Sequence, residues 1–134
     1  MVSSNQDWNH AWACAPAAAI GRYLAGVRPL EPGSRRIIVA PQPGALEAFT
    51  ARVPTIRGPV DVRWQREGDQ VALHLRIPAN TTAEVHLPAG DPAGITEGGV
   101  PLSSAPGIAR LERDGASEVL LVGGGEYLFR FTRA

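Results

Sequence analysis

The sequence contains no lysine and has no excess of either charge. Its 13 basic residues are all arginine and are balanced by 13 acidic residues, so the formal net charge at pH 7 is zero. A chain without a basic surface offers no electrostatic attraction for nucleic acid or for an anionic membrane. We therefore expect neither class of partner.

The sequence also has one cysteine and no long apolar run. Cys14 is alone, so a disulfide within the chain is excluded, and we expect a small buried apolar residue. A catalytic thiol would instead need a base, which His10 could supply. No apolar run is long enough to cross a bilayer, and residues 1–10 lack the regions of a signal peptide. The localisation stays unknown, with a cytoplasmic location expected for the chain as written.

The composition is that of one folded domain. Hydrophobic residues make up 44% and charged residues 19% of the 134 residues, which argues against a disordered chain. A chain of this length can bury most of its apolar surface without disulfides. We expect residues 1–134 to form a single domain.

An apolar helix is predicted near the amino terminus. Residues 16–25 are good helix formers, and Gly26 is placed to end the helix in the left-handed conformation. Arg22 is the only charge on this helix, and apolar side chains surround its axis. They are Ala17, Ala18, Ala19, Ile20, Tyr23 and Leu24. Because one sheet covers only one stripe of a helix, either this helix packs between two structures or its cover lies outside the chain.

The clearest β pattern lies in residues 60–77. Apolar and polar residues alternate in residues 60–67 and again in residues 71–77, with a turn that contains Gly68 between them. The residues expected to face inward are Val60, Val62, Trp64, Val71, Leu73, Leu75 and Ile77. The two segments are therefore predicted to pair as a hairpin.

Shorter segments separated by turn residues predict further strands. They are residues 35–40, 46–53, 54–58, 83–87, 108–112, 117–122 and 127–132. Residues 35–40 show no alternation, so we expect that strand to be buried on both faces, between the sandwich and the preceding helix. The glycines at 123–125 are expected to join the last two strands as a hairpin. The predicted fold class is mainly β, a two-sheet antiparallel β-sandwich over residues 35–134 preceded by one N-terminal α-helix.

No pattern in the sequence indicates a metal or another cofactor. His74 and His86 are predicted to face outward on neighbouring strands, where they could meet. Because a third ligand at fixed spacing is lacking, we expect them to be solvated surface residues. The acidic residues outside residues 1–13 are likewise expected on strand exteriors or in turns, as solvated groups.

The densest cluster of rings lies at Trp8, His10 and Trp12. Indole faces can stack on the C–H faces of a sugar, and an imidazole can exchange hydrogen bonds with its hydroxyls. Alternatively, the two tryptophans pack on the sandwich as plain apolar groups. Asp7 is the only acid in this cluster, and hydrolysis of a glycoside requires a pair of carboxylates.

Short motifs in a fixed order carry a resemblance to a known family. The motifs are DWNHAW at 7–12, AP at 15–16, RYL at 22–24, GVRP at 26–29, PG at 32–33, RI at 36–37, PQPG at 41–44, PTIRG at 54–58 and IPANTTA at 77–83. Together they resemble the junction in bacterial α-L-rhamnosidases where the last helix of the (α/α)6 catalytic barrel enters a C-terminal β-sandwich domain. The resemblance implies that residues 1–26 correspond to the end of the barrel and residues 35–134 to the sandwich. It also implies that His10 lies at the floor of the sugar pocket and that the catalytic carboxylates belong to the barrel.

The resemblance implies a C-terminal accessory domain of an α-L-rhamnosidase-like glycoside hydrolase, here as a fragment or a split gene product. The chain alone would be inactive, and Trp8, His10 and Trp12 would bind a rhamnoside-type carbohydrate in the parent enzyme. The expected partner is the (α/α)6 barrel, or a second copy that associates through the N-terminal helix. The alternative is a stand-alone carbohydrate-binding module that uses Trp8, Trp12 or Trp64 as stacking platforms and stays monomeric. A thiol or metal enzyme centred on Cys14 or the histidines is a third possibility.

Overall fold

The computed structural model describes residues 14–111 and 113–133. A helix, α1 (Ala15–Ala19), and a π-helical turn (Ile20–Leu24) precede the strands. The strands are β1 (Val27–Pro29), β2 (Arg36–Val39), β3 (Ala48–Val53), β4 (Val60–Glu67), β5 (Gln70–Ile77), β6 (Thr82–Leu87), β7 (Thr96–Glu97), β8 (Val100–Pro101), β9 (Ile108–Arg110), β10 (Glu118–Val122) and β11 (Gly125–Thr132). Short 3-10 turns lie at Pro32–Ser34, Pro92–Gly94 and Leu102–Ser104.

The predicted amino-terminal helix is confirmed, with a wider last turn than expected. After Ala19 the helix continues as a π-turn in which the N–H of Ala25 donates to the carbonyl of Ile20 at 2.9 Å. Gly26 ends it with a φ of 71°, the left-handed conformation that was predicted. We call residues 15–24 the helical segment.

The strands form two sheets that pack face to face. The order β1-β2-β6-β10-β9 builds a five-stranded sheet, and the order β3-β4-β5-β11-β7-β8 builds a six-stranded sheet. Neighbouring strands are antiparallel, with the exception of β2 and β6, which pair in parallel. The predicted β-sandwich preceded by one helix is therefore confirmed.

Alternating side chains from both sheets fill the space between them. Trp64, Phe129 and Phe131 are the largest fully buried side chains, and Trp64 meets Phe131 edge to face with 6.1 Å between ring centroids. The β4–β5 hairpin is confirmed, because the two strands pair along their length and all the residues predicted to face inward are buried.

Two segments differ from their predictions. In β2, Ile37 and Val39 are buried, whereas Ile38 on the opposite face is only half-buried. The prediction of a strand buried on both faces is wrong, because the helical segment packs mainly beside β1 and β3. Residues 54–58 form a turn rather than an edge strand. Backbone hydrogen bonds between Thr55 and Gly58 close this turn.

The chain crosses from one sheet to the other at two places where pairing was predicted. β5 and β6 belong to different sheets, so His74 and His86 lie on opposite outer faces of the sandwich and do not meet. β10 and β11 also belong to different sheets, so the glycines at 123–125 belong to a crossing and not to a hairpin. At Gly124 an added Cβ would lie 2.7 Å from the carbonyl oxygen of Pro78. Glycine is therefore needed there for close backbone approach.

Within residues 14–111 and 113–133, no helix combines the length and the apolar character needed to cross a bilayer. These residues also contain no group of three or more His, Cys, Asp or Glu side chains placed to hold a metal ion.

Candidate functional site

The helical segment lies against the open side of the sandwich. β1 is an edge strand of the five-stranded sheet and β3 is an edge strand of the six-stranded sheet, and the segment packs against both. At Gly21 an added Cβ would lie 3.5 Å from Cγ1 of Val53, so the backbone of the segment comes close to the β3 side chains. One side of the segment thus covers the gap between the two sheets.

Backbone hydrogen bonds hold the end of the helical segment to the chain that follows β2. The N–H of Gln42 donates to the carbonyl of Leu24 at 3.0 Å, and the N–H of Ala40 donates to the carbonyl of Gly26 at 3.1 Å. Gly26 has no room for a side chain, because an added Cβ would lie 1.9 Å from the carbonyl oxygen of Ala40. These contacts fix the direction in which the helical segment leaves the sandwich.

The other side of the helical segment is apolar and uncovered. None of its residues is buried, and Ile20 and Tyr23 are 49% and 54% exposed. Arg22 is its only charged residue. An exposed apolar surface of this kind typically marks a contact with another protein or another domain.

The uncovered surface continues from the helical segment over the ends of β1 and β3. Two adjoining grooves share Val27, Pro29, Val53 and Pro54, and one of them reaches Leu30 and Ile56. We call this whole region the amino-terminal apolar surface. Its exposed apolar residues include Ala17, Ala18, Ile20, Tyr23, Pro29, Leu30, Pro32, Pro54 and Ile56. The charged residues Arg22, Arg28, Glu31 and Arg52 also line the two grooves. The arrangement suits burial against a partner, and Glu31 is the single carboxylate among the residues that line the two grooves, so they hold no pair of carboxylates for catalysis.

Comparison with known proteins identifies the sandwich. The family model of the bacterial alpha-L-rhamnosidase C-terminal domain matches residues 26–100, which is more than half of the chain. The chain belongs to this family. The match begins at Gly26, where the helical segment meets the sandwich, and the resemblance carried by the sequence motifs is confirmed.

Two curated relatives are large enzymes of which this rhamnosidase C-terminal domain matches a small part. The chain is 39% identical over 71 residues to an alpha-L-rhamnosidase of Streptomyces avermitilis, which is 52% of this chain and 7% of the relative. It is 35% identical over 75 residues to an alpha-L-rhamnosidase of Formosa agariphila, which is 52% of this chain and 8% of the relative. The match thus spans less than a tenth of either enzyme.

Solved structures of alpha-L-rhamnosidases contain the same fold. The Streptomyces avermitilis enzyme complexed with L-rhamnose matches 84% of this chain and 10% of its own, with a TM-score of 0.72 and 27% identity. The enzyme from Dictyoglumus thermophilum matches 89% of this chain and 13% of its own, with a TM-score of 0.74 and 33% identity. The Aspergillus terreus enzyme, at 24% identity and a TM-score of 0.66, shares the fold. In these relatives the domain is one part of a larger enzyme.

The structure places two of the sequence-predicted site residues differently from expectation. Trp64 is fully buried in the core of this rhamnosidase C-terminal domain, so it cannot serve as a stacking platform for a sugar. Cys14 is exposed, and the prediction of burial is wrong because the start of α1 extends beyond the cover of the sandwich. Trp8, His10 and Trp12 lie outside the described residues.

The outer face of the six-stranded sheet carries charged side chains in ion pairs. Arg52 Nε lies 2.9 Å from Asp61 Oδ1, and Arg76 Nε lies 3.6 Å from Glu126 Oε1. The four side chains stand on neighbouring strands and are open to solvent, with exposed fractions from 32% to 78%. The prediction of acids as solvated groups on strand exteriors holds for this face.

One buried carboxylate was missed by sequence reasoning. Glu118 is 1% exposed and forms ion pairs with Arg110 and Arg113, the latter at 3.6 Å. In β10 it points to the same face as Leu120 and Val122, which belong to the core. This spacing of two residues is the sequence feature that could have predicted its burial. The prediction of an exterior position is wrong here because the two arginines neutralise the charge at the end of the core.

Proposed function

We propose that this rhamnosidase C-terminal domain is the accessory domain of an α-L-rhamnosidase-like glycoside hydrolase and that the amino-terminal apolar surface packs against its (α/α)6 catalytic barrel. The observation that carries the proposal is the helical segment, which is fixed to the sandwich on one side and uncovered on the other. A barrel helix that runs into the sandwich would present this arrangement.

The proposed roles of the two parts of the chain follow from this placement. Residues 1–26 would belong to the end of the barrel and residues 35–134 would form the sandwich that supports it. Trp8, His10 and Trp12 would reach the sugar pocket of the parent enzyme and bind a rhamnoside-type carbohydrate there. The chain alone would not hydrolyse rhamnosides, because the acid and the base would come from the barrel.

Burial on a partner supplies a favourable free energy. Ile20 and Tyr23 are each about half exposed, and covering the remaining half would contribute about 1 kcal/mol for each side chain. Arg22 lies between them in the sequence and lines the adjoining groove, so its guanidinium would require an acidic or polar partner group. The partner surface would therefore be mainly apolar with one acceptor for a guanidinium.

The proposal is tested by solution measurements on the isolated chain. We expect concentration-dependent association in sedimentation velocity and no turnover of an aryl α-L-rhamnoside. Exchanging Ile20 and Tyr23 together for serine should leave the fold intact and abolish association. Val100→Ser is the matched control, because Val100 is 43% exposed in β8, at the opposite edge of the six-stranded sheet.

Two outcomes would contradict the proposal. If the chain stays monomeric at every concentration and binds a rhamnoside unaided, the stand-alone carbohydrate-binding module is the better description. If Val100→Ser abolishes association as completely as the double variant, the amino-terminal apolar surface is not the interface.

A further inference from the structure

The turn at residues 54–58 holds an exposed isoleucine in a fixed position. Ile56 is 84% exposed and lies at the centre of this turn. Oγ1 of Thr55 donates to the carbonyl of Gly58 at 2.6 Å and accepts from the N–H of Arg57 at 3.1 Å. A side chain on a backbone held in this way loses little conformational freedom when it binds, which favours its use as an anchor.

Arg57 ties the same turn to two other loops. Its Nε donates to the carbonyl of Gly33 at 2.8 Å, and its Nη1 donates to the carbonyl of Asn80 at 3.2 Å. These carbonyls belong to the loop before β2 and to the loop between β5 and β6. Ile56 therefore projects from a turn that three segments of the chain hold together.

The two grooves of the amino-terminal apolar surface carry opposite charge. The groove between the helical segment and β3, which we call the helix groove, has a volume of about 610 Å³ and is lined by Ala17, Ile20 and Val53 among other apolar residues. Within the part of the chain that the structure describes, three arginines and no acid line this groove. One of them, Arg52, pairs with a carboxylate on the neighbouring strand, which leaves the charges of Arg22 and Arg28.

The second groove, which we call the loop groove, includes Ile56 in its wall. Of the described residues that line it, Glu31 is the only charged one. The four residues shared by the two grooves separate Ile56 and Glu31 from the helix groove. An apolar projection with an acidic neighbour thus lies beside an apolar groove with basic neighbours.

We propose that a second copy of this chain occupies the amino-terminal apolar surface when the barrel is absent, in a symmetric dimer in which Ile56 of each copy inserts into the helix groove of the other. The dimer rests on the proposed function, because it uses the surface that the barrel would cover in the larger enzyme. A two-fold axis through the four shared residues makes both contacts at once, since residues in such an interface meet reciprocally. It also brings Glu31 of each copy towards Arg22 and Arg28 of the other, and these opposite charges fix the register.

Sedimentation velocity of the full chain over a range of concentrations tests the inference. We expect a monomer–dimer equilibrium. Ile56→Ser should weaken the dimer about a hundredfold, because a loss of about tenfold at each of two identical contacts multiplies. The exposed position of Ile56 means that this change should leave the fold intact. Val100→Ser is the matched control and should dimerise as the wild type does.

Two charge reversals test the register independently of the apolar contact. Arg22→Glu and Glu31→Arg each place like charges opposite each other at both contacts, so each variant alone should dimerise more weakly than the wild type. In an equimolar mixture, every contact between the two variants pairs opposite charges. The mixture should therefore contain more dimer than either variant does alone at the same total concentration.

The possible failures are distinguishable. If the wild type dimerises and Ile56→Ser dimerises as tightly, the surface is an interface but the reciprocal insertion is wrong. A mixture of the charge variants that associates no better than either alone would show that Glu31 and Arg22 do not face each other. A wild-type chain that stays monomeric at every concentration would overturn the dimer. That last result would leave the contact with the barrel in place, unless the chain also binds a rhamnoside unaided.

Discussion

Replacing Gly26 by alanine tests how the helical segment is held on the sandwich. Gly26 has a φ of 71°, a left-handed conformation that costs other residues about 1–2 kcal/mol. The added Cβ would also lie 1.9 Å from the carbonyl oxygen of Ala40, a backbone atom that cannot turn away as a side chain can. The two chain segments must therefore move apart. This movement breaks the hydrogen bonds that the carbonyls of Leu24 and Gly26 accept from residues 40 and 42.

The expected loss follows from these two contributions. The left-handed conformation accounts for about 1 kcal/mol, and each lost hydrogen bond for about 1 kcal/mol more, so Gly26→Ala should lower the free energy of unfolding by about 3 kcal/mol. Gly33 offers a matched control, because its φ is 73° and an added Cβ would have nothing within 4 Å. Gly33→Ala should therefore lose only about 1 kcal/mol.

Urea unfolding, monitored by tryptophan fluorescence, measures both losses. Trp64 is buried in the core, so its emission changes when unfolding exposes it to water. The difference between the two variants, about 2 kcal/mol, isolates the collision with the Ala40 backbone from the cost of the left-handed conformation. Equal losses in the two variants would refute the reasoning. An unchanged Gly26→Ala would refute the placement of the helical segment itself.

Further predictions concern the buried carboxylate and a tyrosine. Glu118→Gln removes the charge that holds Arg110 and should lower the free energy of unfolding by about 2–3 kcal/mol in urea. Glu126→Gln, whose ion pair is exposed, should change the free energy of unfolding by less than about 1 kcal/mol. Equal losses in Glu118→Gln and Glu126→Gln would contradict the importance of burial. Burial raises the pKa of Tyr127 above its ordinary value of 10.0, so the folded state holds the phenolic proton more tightly than the unfolded chain. That stabilisation is complete below pH 10 and is lost as the pH rises through the raised pKa. The free energy of unfolding should therefore fall more steeply with rising pH in the wild type than in Tyr127→Phe. Identical slopes would exclude Tyr127 as the source.

Local alternation predicted most of the sandwich. The period of two in residues 60–67 and 71–77 identifies both the strands and their buried faces, because each side chain of a strand points to the side opposite its neighbour. Phe129 and Phe131, two residues apart in β11, follow the same rule, and both are buried in the core. These predictions need only the neighbours of each residue along the chain, and so they are the ones that a sequence supports best.

Pairing between distant strands was predicted less well. The strands on either side of the turn after β5 were expected to be neighbours, and the glycines at 123–125 look like a hairpin turn, yet both connections carry the chain from one sheet to the other. The distinction depends on which strand lies alongside, and this is decided by packing of the two sheets and not by the turn residues. His74 and His86 were therefore placed together when they lie on opposite faces.

The exposed helical segment shows that hydrophobicity and ordered motifs carry different kinds of information in the sequence. Hydrophobic burial has no direction, so the apolar circumference of the helical segment could indicate only that Ile20 and Tyr23 require more cover than one sheet supplies. The ordered motifs around that segment carry a resemblance to the junction of a barrel with a sandwich, and this resemblance indicates what kind of structure is proposed to supply the cover. The two lines converge on the same ten residues, which the structure shows anchored on one side and uncovered on the other. The proposed contact with a larger enzyme therefore depends on the helical segment.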